Sequence, residues 1–188
     1  MSAPKFNQTK GEAIYMKPGG QGANSFLGSV DAESKTGVKE SIRLLEFPII
    51  EIENPSDITR STSGAAGNTR LYRVEAHAII DKGTIAGISC LTQGVYLETV
   101  TFYKMMIGGG EMKLVSETTL ADVYISGMEI WHDIAFGPIT SEGMFATYKF
   151  VYGKIVQIRN MYDPDDQSTG KQGFETNMSQ QKTDFSGG

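Results

Sequence analysis

Apolar and polar residues alternate with a period of two along most of this chain, and only one stretch keeps a helical spacing. The first strand this predicts is Glu12–Pro18, stopped by Pro18, Gly19 and Gly20. From Lys39 to Glu53, Ile42 and Leu44 alternate with Ser41 and Arg43, and Ile50 and Ile52 with Glu51 and Glu53. Leu45 breaks that rhythm and Pro48 removes a ladder donor, so a bulge or an edge position is expected there. Arg70–Ile80 reads as a strand with Tyr72, Val74, Ala76, Ala78 and Ile80 on one face. Thr84–Gly94 reads as a helix, with Thr84 as N-cap, Ile85, Ile88 and Leu91 at helical spacing, and Gly94 as the stop. Strands follow at Leu97–Met106, at Glu111–Glu129 (long or bent) and at Met144–Ile158, whose Met144, Ala146, Tyr148, Phe150 and Tyr152 share a side. Gly173–Met178 adds a short edge strand. Roughly five or six strands and one short helix in sequential order predict a mainly β fold: a β-barrel of two packed antiparallel sheets with one capping helix. Several strands carry apolar residues on both faces, so both faces are expected to meet something.

The chain has 188 residues, the length of one domain. Residues 1–11 are polar and read as a flexible N-terminus, 12–162 as the barrel, and 163–188 as a polar C-terminal extension. Within the barrel, Asn54–Thr69 is a run of Ser, Thr, Gly, Ala and Asn with little to bury, and unstructured loops of that length tend to be functional. The 22 glycines suit a fold of turns and bulges better than a helical bundle. A formal charge of −5 and the absence of any basic stripe argue against nucleic-acid binding. Cys90 is the only cysteine, which excludes an intrachain disulfide. No segment is apolar for as long as a membrane span or a signal peptide requires, which predicts a protein made soluble in the cytoplasm and exported, if at all, by a dedicated machine.

Candidate chemistry is sparse. Gly108, Gly109 and Gly110 lack the Lys-Ser/Thr of a phosphate loop and lead into a strand pattern, so they read as a hairpin turn. His132 and Asp133 beside Trp131 fall short of the three or four converging ligands of a metal site, and His77 sits alone on a strand. Cys90 has apolar neighbours on the predicted helix and reads as packing. Asp163, Asp165 and Asp166 lack the glycine and terminal glutamate of a calcium loop. The nine methionines read mainly as core filling. No catalytic, cofactor-binding or metal-ligating set emerges.

Taken in order, the elements resemble the haemolysin-coregulated protein (Hcp) family of type VI secretion systems. The resemblance rests on Ala13–Lys17 and the strand Ser41–Pro48, the Ser/Thr/Gly-rich loop Asn54–Thr69, and a strand running into Asp81-Lys82-Gly83-Thr84 and the single helix. It continues through Glu98–Met105, the glycine turn, Leu120-Ala121-Asp122-Val123-Tyr124-Ile125-Ser126, and Phe145–Ile158 before an aromatic-acidic tail. It covers roughly residues 12–166. The chain departs from the family pattern at Gly153–Val156, where many members carry Trp and Glu, and at Lys39-Glu40-Ser41, where many have a Trp lead. The resemblance implies a non-enzymatic β-barrel subunit that forms homohexameric rings. The rings stack into a tube inside a contractile sheath and are expelled with a spike protein, in some members with small effectors in the lumen. The protein would thus be cytoplasmic when assembled and secreted without a signal peptide, with no cofactor and no membrane insertion. The loop supplies the candidate inter-ring contacts Thr59, Arg60, Ser61, Thr62, Ser63, Gly64 and Asn68. Edge strands such as Glu12–Lys17 or Gly173–Met178 are candidates for pairing with a neighbour. Two other readings remain open at this point: a monomeric β-sandwich or barrel that binds a ligand, and a tail-tube protein of a phage-like particle.

Overall fold

The computed structural model describes residues 12–20, 38–50, 73–108, 111–133, 143–162, 167–177 and 182–187. In chain order the elements are β1 (Glu12–Gly19), β2 (Ile42–Leu44), β3 (Ile49–Ile50), β4 (Arg73–Ile79), α1 (Lys82–Gln93), β5 (Leu97–Gly108), β6 (Glu111–Asp133), β7 (Gly143–Val151), β8 (Lys154–Tyr162), β9 (Ser168–Asn177) and β10 (Lys182–Gly187). The run expected from Lys39 to Glu53 is broken at residues 45–48, between β2 and β3, where Pro48 can donate no ladder bond. The candidate loop Asn54–Thr69 lies outside the described residues.

Every pairing is antiparallel, and six strands close on themselves: β1 pairs β2, β2 pairs β4, β4 pairs β7, β7 pairs β6, β6 pairs β5, and β5 returns to β1. Closure leaves β1 paired on both sides, so Glu12–Lys17 is not the edge strand expected of it. The strand read as Met144–Ile158 is two, β7 and β8, which follow each other along one side of the long β6. The step between them is held by the amide of Gly153, which donates to the carbonyls of Ala121 and Asp122. The polar C-terminal stretch holds more strand than its composition suggested. β9 pairs β8 from Lys154↔Asn177 to Tyr162↔Ser168, and β10 pairs β9. Gly173–Met178 therefore falls mostly in a strand flanked on both sides, and among the described residues β10 is the outer one.

The inward positions of the closed circuit form one core. Ile14, Met16, Ile42, Leu44, Val74, Ala76, Ala78, Val100, Phe102, Leu120, Val123, Ala146, Tyr148 and Phe150 are all buried in it. Large and small side chains alternate across neighbouring strands, with Tyr148 opposite Ala76 and Phe150 opposite Val74, the pairing that suits the interior of a narrow barrel. A second cluster of Ala13, Tyr15, Val38 and Met105 covers the outer side of β1 and β5, so these strands are indeed apolar on both faces.

Helix α1 starts earlier than expected. Asp81 is the N-cap: its Oδ1 accepts from the Gly83 amide at 2.8 Å, while Thr84 Oγ1 accepts from the Asp81 amide at 3.2 Å. Thr84 is thus the reciprocating third residue of a capping box, and not the cap. Gly94 ends the helix in the left-handed region, φ 62°, as glycine alone does without strain. The buried face is made of Gly83, Thr84, Gly87 and Cys90. Ile85, expected to pack, is 74% exposed. Small residues let the helix lie close to the barrel, where the Tyr148 hydroxyl donates to Thr84 Oγ1 at 3.2 Å. Burial there pushes the Tyr148 phenol far above its ordinary value.

Candidate assembly surfaces

The seven loop residues singled out from the sequence, Thr59, Arg60, Ser61, Thr62, Ser63, Gly64 and Asn68, lie outside the described residues. Surfaces for contact with other proteins must then be read from the barrel itself. The wall made by β4, β7 and β6 carries cross-strand rows on its outer side. Lys149, opposite Glu75, reaches the Glu129 carboxylate and lies 4.0 Å from that of Glu75. The hydrogen bond to Glu129 raises the ammonium of Lys149 above its usual range. These exposed pairs contribute little to stability but give the wall a fixed pattern of charge.

One row further along, Thr147 Oγ1 is shared. The indole of Trp131 donates to it at 3.1 Å, and His77 Nδ1 lies 2.9 Å away. The other ring nitrogen of His77, Nε2, lies 3.8 Å from the Glu46 carboxylate. Burial lifts the Glu46 carboxyl above its usual range, partly opposed by His77. Trp131 also stacks on Phe145, with ring centroids 4.8 Å apart and Leu45 alongside. The residues read as an insufficient metal set from sequence are therefore partly engaged in structure, His77 in this network and Trp131 in the aromatic stack. Among the described residues no cluster of His, Cys, Asp and Glu is arranged to hold a metal ion. Cys90 is buried beneath the helix, in line with its reading as packing.

The far end of the sheet is different in kind. Phe185 on β10 is 84% exposed and sits directly opposite Phe174 on β9, whose ring reaches the barrel core. Lys154 and Glu175 form an ion pair at 2.6 Å across β8 and β9. Ile85 and Ile88 on α1 and the tilted ring pair Tyr96–Tyr124 add further apolar surface. Stacked rings, patterned charge and, among the described residues, an outer strand are the elements of protein–protein contact. Sequence reasoning missed β10 because Lys182–Gly187 lacks the alternation of a half-buried strand; its one signal was the lone Phe185.

Residues 15–157 match the model of a family described as "Type VI secretion system effector, Hcp", most of the chain. The chain belongs to the Hcp family. Hcp proteins are tube proteins of the type VI secretion system, secreted by it and not known as enzymes. Solved structures agree on the fold. One titled "Structure of a type six secretion system protein" is 15% identical, with a TM-score of 0.69 over 92% of this chain and 99% of that one. Hcp1 from Salmonella typhimurium is 11% identical, with a TM-score of 0.62 over 93% and 99% of the two chains. Hcp3 from Pseudomonas aeruginosa, a secreted protein, is 14% identical, with a TM-score of 0.52 over 94% and 97%. No curated protein sequence matches this one. Among the described residues no helix is long and apolar enough to cross a membrane.

Proposed function

We propose that this Hcp protein forms hexameric rings that stack into the inner tube of a type VI secretion system and are expelled by its sheath behind a spike protein. The observation that carries this reading is the family match over residues 15–157. The barrel supports it physically. Its outer wall carries cross-strand charge and aromatic rows, and among the described residues its β8–β9–β10 extension ends in an outer strand with an exposed phenylalanine. A subunit with two such unlike surfaces suits a head-to-tail contact, which closes into a ring when the rotation permits. The loop Asn54–Thr69, with Thr59, Arg60, Ser61, Thr62, Ser63, Gly64 and Asn68, is assigned to contacts between stacked rings; half of it, extended, spans roughly 25 Å. Small effectors would travel in the lumen.

Negative-stain electron microscopy of the purified protein at high concentration, with light scattering alongside, tests this. Six-fold rings with an open centre are expected, since dilution alone dissociates weak rings by mass action. Shortening Asn54–Thr69 is expected to leave single rings intact and to abolish stacks. A protein that stays monomeric when concentrated overturns the ring, and stacking by the shortened chain overturns the role of the loop.

A further inference from the structure

One polar cleft opens at an end of the barrel, where its inner face changes character. Along β5 the inward positions run Val100, Phe102, then Lys104; along β6 they run Leu120, Thr118, then Ser116; along β8 they run Ile155, Gln157, then Arg159. β6 and β8 turn polar one row before β5, and in the row of Lys104, Ser116 and Arg159 all three strands are polar. Immediately beyond, Val115 is an extra residue on β6, since Lys104 pairs Ser116 while Met105 pairs Leu114. Such bulges bend a strand and often adjoin binding sites. The Leu114 carbonyl accepts from Asn160 Nδ2 at 2.7 Å and from the Tyr162 hydroxyl at 2.8 Å, so side chains hold the strands together past the bulge.

The resulting cleft has a volume of about 370 Å³ and is lined by Phe47, Lys104, Val115, Ser116, Gln157 and Arg159. That is within the range of small-ligand sites. Its donors outnumber its acceptors. Lys104 is balanced by Glu12 at 3.1 Å, whereas among the described residues no carboxylate lies within salt-bridge distance of Arg159. Gln157 is held in place by its amide, which donates to Thr118 Oγ1 at 3.3 Å. Ser116 is only 8% exposed and lines the cleft, where its hydroxyl can donate to a ligand oxygen.

We propose that this cleft binds a carboxylate carried on an apolar body, with Arg159 gripping the carboxylate in its planar fork, Ser116 donating to it, and Phe47 and Val115 covering the apolar part. The site takes one negative charge, because among the described residues Glu12 already neutralises Lys104 and Arg159 leaves a single positive charge over. The carboxylate can come from a free small acid or from an acidic side chain next to an aromatic one in a peptide. The cleft lies within a single chain, so the site is present whether or not the rings assemble.

Phenylacetate and the blocked dipeptide acetyl-Phe-Glu-amide represent the two sources, and neutral phenylacetamide is the control, each titrated into the full chain by ligand-observed NMR. Saturable binding of either acid is expected, with phenylacetamide silent. The tighter of the two acids identifies the source. Arg159→Gln weakens binding about tenfold, the cost of one charge-assisted contact, and Ser116→Ala weakens it several-fold. Lys82→Gln, on the exposed start of α1, leaves it unchanged. Thermal melting confirms that each variant folds, and Arg159→Lys, which removes the planar fork, replaces Arg159→Gln if the latter does not. Binding that never saturates, an equal response to phenylacetamide, or undiminished binding by the cleft variants overturns the proposal.

Discussion

Phe150→Ala tests whether the barrel interior described above is the seat of stability. Phe150 is fully buried on β7, directly opposite Val74 on β4 and Ile125 on β6. Its ring meets Tyr148 nearly parallel, 6.1 Å between centroids, and Phe102 edge-on at 6.3 Å. Truncation therefore removes two aromatic contacts and leaves a cavity walled by strands that closure prevents from moving inward. Buried Phe→Ala changes cost about 3–5 kcal/mol, and restraint by a closed barrel places this one at about 4 kcal/mol. For a chain of this size each kcal/mol moves Tm by about 3 °C, so a fall of about 12 °C is expected. The assay is a circular-dichroism melt with a parallel urea titration, at one fixed dilute concentration so that assembly does not enter. Phe185→Ala is the internal control, because that ring is exposed and its loss stays within about 0.5 kcal/mol. A fall of under about 3 °C for Phe150→Ala, or equal falls for both, would mean that the β7 inner face is not packed as described.

Two further perturbations probe the outer wall and the extension. Burial holds the Glu46 carboxyl above its ordinary value, so the folded protein keeps that proton more tightly than the unfolded chain does. The charged form then costs stability above the unfolded pKa and costs nothing in acid, so Glu46→Gln raises Tm at neutral pH, by no more than about 2 °C, with no gain below about pH 4. Melts across pH check this, and a gain that persists or grows in acid refutes it. A Cβ at Gly173 would run into the Gln157 carbonyl oxygen across the β8–β9 ladder, and that backbone has no room to yield. Gly173→Ala should cost about 1–3 kcal/mol locally and speed tryptic cleavage at Lys171 or Lys182 about tenfold; an unchanged rate would show that the hairpin is not held through this contact.

The strands that proved legible are those with one face in the core. Val74, Ala76 and Ala78 alternate with exposed Arg73 and Glu75, and Tyr148 and Phe150 face the same way as Ala146. The helix was legible in type and in its Gly94 stop, but its start and its orientation were not. Ile85 and Ile88 at helical spacing pointed to an apolar buried stripe, whereas a helix laid close on a barrel presents Gly83, Gly87 and Cys90 inward. Propensity rules weigh side-chain size and cannot see how closely two backbones approach. Edges were the least legible, because whether a strand ends a sheet depends on closure. β1 reads like any half-buried strand until β2 and β5 both claim it. Of β9 only Gly173 onward read as a strand, and β10 not at all, because ladder partners more than side chains hold them. The cleft was invisible for a related reason: Lys104, Ser116 and Arg159 are far apart in sequence and meet only through register.

That same distinction explains how the fold persists at 11% to 15% identity to the solved structures. A closed barrel fixes which positions face inward, and antiparallel register fixes which of them are neighbours. What the interior then requires is a summed volume, not a given set of residues. Here the rows Ala76–Tyr148 and Val74–Phe150 each place a small residue beside a large one, while Ala78–Ala146 pairs two small ones. A relative can exchange the large and small members of a row and keep the same wall. The positions with less freedom are those where backbone meets backbone or a carbonyl needs a donor. Gly173 against Gln157, Gly153 at the β7–β8 step, and Asn160 and Tyr162 on the Leu114 carbonyl are of this kind. A double exchange, Ala76→Leu with Tyr148→Ala, should therefore destabilise far less than the sum of its two single changes, whereas no substitution elsewhere should rescue Gly173→Ala.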